Sequence, residues 1–242
     1  MPPQSWLVRA VNLPEHADNP VHTDVGARLA GFPLALVAGV TTYAVMTRPI
    51  VAVDATWLRI GAGELRLRLP VFNGDLLEMV PVAPCGENEH LTIEAQVSGS
   101  VRATLTVLPT HLVKFSASES LSALEPMVVE LVGSYGNYGT RCGDDLDVYR
   151  EGAIHPSVWL NLANRMYADQ LVNGPWVHTR SRFVHHDVAH VGDTVVVSAD
   201  VTRRFRTSAG ERAVAMIHIS GANGTVVVIE HEAIVSMTPG TP

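Results

Sequence analysis

The stretch DNPVHTDVGARLAGFP, Asp18–Pro33, sets one histidine, His22, between two carboxylates, Asp18 and Asp24, at the edge of an Ala/Leu-rich segment. An imidazole titrates near neutrality and can give or take a proton, and a carboxylate beside it can orient the ring or share that work. The same residues have plainer uses. A lone histidine is ordinarily a hydrogen-bonded surface group, and Asp24 is placed to cap a helix over Val25–Ala30. His178, His185, His186 and His190 form a second concentration of chemistry. Read as strand residues, His186 and His190 share one face and His185 the other. With no cysteine or glutamate beside them, no metal is expected. GSYGNYG, Gly133–Gly139, lacks the sequence context of a phosphate loop. It is expected to be a flexible loop, able to border an entrance if it moves.

The elements that must position these residues come twice. Gly39–Met46 starts a helix after a glycine, and Pro156–Leu171 carries Val158, Leu162, Met166 and Leu171 as a helical stripe behind a first-turn proline. Alternating or apolar runs predict strands at Glu64–Leu69, His90–Val97, Val101–Leu108, Trp176–Phe183, Asp193–Phe205, Arg212–Ser220 and Thr225–Met237. Leu112–Ser134, with SASESLSALEP, reads as a short helix or a linker. PVFNGDLLEMV at Pro70–Val80 matches VAHVGDTVVVS at Val188–Ser198 through a Gly-Asp turn opening a strand. The interval from Gly39 to Gly74 is within one residue of that from Pro156 to Gly192, which suggests a duplicated domain. A helix buried against a curved antiparallel sheet, twice over, is an α+β arrangement with a cleft between the units.

The chain has 242 residues, 47% of them hydrophobic and 17% charged, and a formal net charge of -7. That composition excludes a disordered chain. The acidic balance and the lack of a basic run argue against nucleic acid as a partner. Cys85 and Cys142 fit neither a disulfide framework nor a zinc spacing. The N-terminal residues lack a secretory pattern, and the longest apolar stretch, Phe32–Met46, is read as a buried helix rather than a membrane span. A cytoplasmic protein is expected.

NPVHTD at Asn19–Asp24, AGV at Ala38–Val40 and PVFNGD at Pro70–Asp75 together resemble the MaoC-like hot-dog hydratases and dehydratases. GAIHP at Gly152–Pro156, GPWVHTRS at Gly174–Ser181 and HVGD at His190–Asp193 look like a second, more divergent hot dog. The resemblance implies a double hot dog, divided as residues 1–115 with the reaction centre and residues 116–242 as structural partner. It implies reversible water addition to enoyl thioesters of coenzyme A or an acyl carrier protein, with no cofactor. By position His22 falls on the catalytic histidine, Asn19 borders the substrate, and Gly39 falls on the glycine whose N–H polarises the thioester carbonyl.

Two departures stand out. The family aspartate, five residues before the histidine, is Ala17 here, and a one-residue loop deletion would let Asp18 take its role. The histidine before the helix glycine is Ala38. In the second half His155-Pro156 offers no N–H at the matching place; His155 and Trp176 are expected to shape the cleft or pack the second core. Arg203, Arg204 and Arg206 are available either to the phosphates of coenzyme A or a phosphopantetheine arm, or as a solvated strand edge. Thioester hydrolysis on the same fold and a non-catalytic acyl-binding module remain open, as does a homodimer of double hot dogs.

Overall fold

A computed structural model describes residues 3–84, 90–115 and 119–238. Cys85 and residues 116–118, where the expected division between halves falls, lie outside the described residues. The first half contains β1 (Trp6–Arg9), α1 (Asp24–Leu29), α2 (Gly39–Val51), α3 (Trp57–Ile60), β2 (Ala62–Leu67), β3 (Leu76–Val82), β4 (Thr92–Val97) and β5 (Ser100–Leu108). The second contains β6 (Ser122–Glu130), α4 (Tyr138–Arg141), α5 (Asp147–Arg150), α6 (Ser157–Gln170), β7 (Val177–His185), β8 (Thr194–Thr207), β9 (Gly210–Gly221) and β10 (Gly224–Met237).

All ten strands form one antiparallel sheet in the order β1-β3-β4-β5-β2-β7-β10-β9-β8-β6. Each half therefore contributes five strands in the same internal order, and the two sets join where β2 pairs β7, with Leu65 opposite Ser181. The repeated Gly-Asp turns are built alike. Gly74 and Gly192 adopt φ of 92° and 97°, the left-handed region that glycine enters at no steric cost. Asp75 and Asp193 then each accept the N–H three residues back, from Phe72 and His190, at 2.8 Å.

Burial explains the two long helices. α2 is buried on nearly every face, from Val40 through Val51, so it is a core helix enclosed by the sheet rather than an amphipathic surface helix. In α6 the expected stripe holds, with Val158, Leu162 and Met166 at 0% exposure. Across the seam, Glu64, Glu230 and Glu232 hold Arg66, Arg180, Arg182 and Arg212 in an ion-pair network. No helix among the described residues is long and apolar enough to cross a membrane.

Four local expectations are corrected. The expected helix or linker at Leu112–Ser134 contains strand β6, which pairs with β8 at the edge of the sheet. Its Pro126 sits in the register shift between Leu124 and Met127, where a missing N–H breaks no ladder bond. Residues Phe32–Ala38 are not helical; Leu36 bridges Phe72 instead, and α2 starts only at Gly39. Thr23, not Asp24, caps α1 by accepting the Gly26 N–H at 3.1 Å, while Asp24 accepts the Ala35 N–H. β7 ends at His185, so strand alternation does not extend to His186 and His190.

Candidate active site at the seam of the two halves

The His22 loop is fixed from both sides. Asn19 opens a single tight turn over Pro20–His22 and accepts the Val21 N–H, while its amide donates to the Trp176 carbonyl at 2.9 Å across the seam. Val21 packs with Ala27, Phe32 and Leu36 in a small core of its own. Gly26 lets α1 approach this turn, because a Cβ there would overlap the Pro20 carbonyl. Leu36 N–H bonds the Val21 carbonyl at 2.9 Å, and His22 Nδ1 lies 2.8 Å from the Leu36 carbonyl.

That last contact sets the tautomer. A carbonyl only accepts, so Nδ1 carries the hydrogen and Nε2 keeps a lone pair. Burial pushes the His22 imidazole below its ordinary value, with the Leu36 carbonyl opposing. The ring is therefore neutral at pH 7, with a basic nitrogen free.

The start of α2 is the second fixed group. Ala38 provides no side-chain cap, and the Gly39 N–H, at the positive end of a 13-residue helix, has no acceptor among the described residues. His22 and Gly39 line one cavity of about 740 Å³ together with Asn19, Thr42, Asn164 and Trp176. Its apolar wall comes from Phe32, Pro33, Leu36 and Val37, from Leu67 and Leu69–Phe72, and from Ile234 and Met237.

Asp18 does not join this group. The hydrogen bond from Asn19 N–H to the His16 carbonyl closes a turn that leaves Asp18 exposed and outside the cavity wall. The partner of His22 is a backbone carbonyl instead of a carboxylate. The only carboxylate in the wall among the described residues is Glu232, and it is tied to Arg180 and Arg212.

The basic cluster divides. Arg203 lines the cavity and stacks over Phe205 at 4.5 Å. Arg204 is paired with Glu211 at 3.0 Å, and neither it nor exposed Arg206 reaches the wall. Arg68 and Arg102 do line it, and with Arg203 they have no acidic partner among the described residues. Arg102 was not singled out in the sequence because it lies on a strand whose alternation is otherwise ordinary.

The matching place in the second half is closed. The His155 ring caps α6 by accepting the Ser157 N–H, and bonds Ser157 Oγ at 2.7 Å and Asp144 at 3.2 Å. Asp144 in turn accepts from Arg48 at 3.0 Å. The Gly133–Gly139 segment does not border the cavity. It leads into α4, whose Tyr138 is buried against His16 and Thr41. Trp176 lines the cavity, whereas His155 packs inside. Cys142 is buried, which pushes its thiol up to about 12.

No family model matches the chain, and no curated protein matches it in sequence. Solved structures do match in fold. A conserved hypothetical protein of Mycobacterium tuberculosis described as a double hotdog superposes with a TM-score of 0.61 at 12% identity, covering 97% of this chain and 96% of that one. A MaoC-like dehydratase gives 0.60 at 10% identity, covering 98% of each chain. A provisionally assigned oleoyl thioesterase of Lactobacillus plantarum gives 0.60 at 6%, covering 97% and 96%. The chain is a double hot dog.

Proposed function

We propose that the protein adds water reversibly to enoyl thioesters, within residues 1–115 as the reacting unit and residues 116–242 as the wall that completes the cavity. The observation that carries this reading is the His22 tautomer. Nδ1 is held by the Leu36 carbonyl, so Nε2 keeps its lone pair, and His22 and Gly39 line the same cavity. A thioester carbonyl oriented on Gly39 would feel the first-turn donor and the helix dipole as negative charge develops on its oxygen. His22 Nε2 takes a proton from water, the water oxygen bonds to the β-carbon, and the displaced electron pair moves to the carbonyl oxygen. The imidazolium then returns its proton to the α-carbon. Its lowered pKa keeps the ring neutral and able to accept at pH 7 and makes the imidazolium a ready acid for the second step, at the cost of a weaker base in the first. No carboxylate is needed. Asp18→Asn is expected to leave kcat/KM within about twofold, measured on the same enoyl ester as the parent protein.

Coenzyme A or an acyl carrier protein fits as the carrier. Arg68, Arg102 and Arg203 at the wall, with no acidic partner among the described residues, suit its phosphates. Arg203→Ala is expected to raise KM for a coenzyme A ester about three- to tenfold with kcat little changed, and Arg206→Ala to leave both alone. Equal effects of the two variants would place the phosphates elsewhere.

The test of the reaction is a panel of enoyl-coenzyme A esters with products separated. Loss of enoyl absorbance without free thiol supports hydration. Thiol release would indicate hydrolysis, a reaction for which Glu232, already bound by two arginines, is poorly placed. Binding without turnover would make the chain an acyl-binding module.

A further inference from the structure

Two histidines of the second half form a buried chain behind the cavity. His178 Nε2 lies 2.9 Å from Ser181 Oγ, and Ser181 Oγ lies 2.8 Å from His231 Nδ1. The rings stack with centroids 4.2 Å apart. Tyr167 fixes the far end by donating to the His231 carbonyl at 2.7 Å. The two outer nitrogens, His178 Nδ1 and His231 Nε2, are buried with no well-formed hydrogen bond among the described residues, although the Arg180 backbone lies close enough to act on the His178 ring.

Hydrogen counting restricts where the protons sit. Burial pushes His178 down to about 3 and His231 well below its ordinary value, so both rings are neutral and each carries one N–H. Each of the two hydrogen bonds to Ser181 needs one hydrogen. If the serine hydroxyl donates to His231, the N–H of His231 is forced onto Nε2, at 0% exposure with nothing to accept it. If the hydroxyl donates to His178, His231 Nδ1–H donates to the serine, and the N–H of His178 falls on Nδ1. Either way one buried N–H has no acceptor among the described residues; on His231 Nε2 it lies off the cavity wall, whereas on His178 Nδ1 it belongs to a residue that lines the cavity, where a ligand atom can accept it.

His178 Nδ1 is beside the start of α2. A Cβ at Gly39 would lie 3.5 Å from it, and His178 lines the cavity although the residue itself is only 5% exposed. The space between is taken by Leu67, whose methyl occupies the place that a Gly39 Cβ would fill. Leu67 is the free end of a flexible side chain at the last position of β2, so a ligand atom can replace it.

We infer that His178 is a second hydrogen-bond donor at this site, its Nδ1–H and the Gly39 N–H together holding the thioester carbonyl oxygen of an acyl ligand once the Leu67 methyl moves aside. This rests on the proposed placement of the ester at Gly39. It adds a side chain from the second half to a centre otherwise built from the first.

The test uses the whole protein with ¹⁵N-labelled histidine and a saturated acyl-coenzyme A ketone, in which CH₂ replaces the thioester sulfur so that neither hydration nor hydrolysis occurs. The expected result is a His178 proton on Nδ1 that shifts when the ketone binds, with the Gly39 amide shifting alongside. A proton on Nε2 in the complex, or a shift of the Gly39 amide with His178 unmoved, overturns the inference and leaves the site reading standing. No shift at Gly39 or His22 overturns the site reading and this inference with it. In turnover, His178→Phe should lower kcat about 10²-fold with KM little changed, and His178→Asn, which keeps a donor, should recover part of the loss; an unchanged kcat in a folded His178→Phe protein contradicts the assignment.

Discussion

His22→Gln is expected to lower water addition to an enoyl ester by roughly 10²–10⁴ in kcat, the usual contribution of a positioned acid-base group, while the thermal midpoint stays within a few degrees of the parent protein. Glutamine keeps a polar side chain able to donate to the Leu36 carbonyl, so the loop held by Val21, Phe32 and Leu36 has no reason to collapse. It cannot shuttle a proton. The pH dependence carries the same signature. Nε2 must be unprotonated to accept from water, so hydration activity is retained above the ordinary histidine value of about 6.5 and falls as pH drops through the lowered pKa of His22. An acid limb centred above 6.5 would mean that another group supplies the base.

The second large effect concerns the fold. His16, His178, His185 and His231 are buried, and burial is the largest cause lowering each: His16 to about 4, His178 and His185 to about 3, and His231 well below its ordinary value. Below about pH 6.5 the unfolded chain takes up protons that the folded chain refuses. The stability from keeping these rings neutral is therefore fully present above 6.5 and is lost as pH falls toward the folded values. Each ring that stays neutral in the folded chain contributes a slope of up to about 1.4 kcal/mol per pH unit, a large fraction of the usual 5–15 kcal/mol of a native protein. Urea midpoints measured between pH 7 and pH 4 should fall steeply. His185 offers a clean control. It sits between Trp57 and Phe183 at centroid distances of 5.1 and 5.2 Å, with neither nitrogen hydrogen-bonded among the described residues. His185→Leu should flatten the slope by one proton and stabilise the protein at pH 5, and an unaltered slope would show that its ring is charged in the folded state.

The parts of the fold written in local periodicity were legible in the sequence. Leu65 and its alternating neighbours, the stripe on α6 and the two Gly-Asp turns are decided by residues close in the chain, and these are enough to imply duplicated helix-and-sheet units. β6 was not legible. Its serines and glutamates mimic capping chemistry, and only pairing with β8 makes an edge strand of it. The site was legible in the same measure. Asn19, His22 and Gly39 carry their meaning in a short motif and a helix start, whereas the partner of His22 is the carbonyl of Leu36, delivered by a loop with no motif. The exclusion of Asp18 depends on how one turn points. Arg203 differs from Arg204 and Arg206 only because the register shift between Val201 and Arg203 and the Glu211 pairing sort neighbours that look alike in sequence. His178, Ser181 and His231 meet across β7 and β10, a relation that periodicity cannot express.

The most direct measurement is a solved complex with the saturated acyl-coenzyme A ketone. The expected density enters past Arg203, lays the carbonyl oxygen on the Gly39 N–H, and brings the carbon equivalent to the β-position within reach of a water held by His22 Nε2. An acyl chain bound elsewhere, or one that fills the cavity with its carbonyl turned away from the start of α2, would contradict the reaction assigned to this protein.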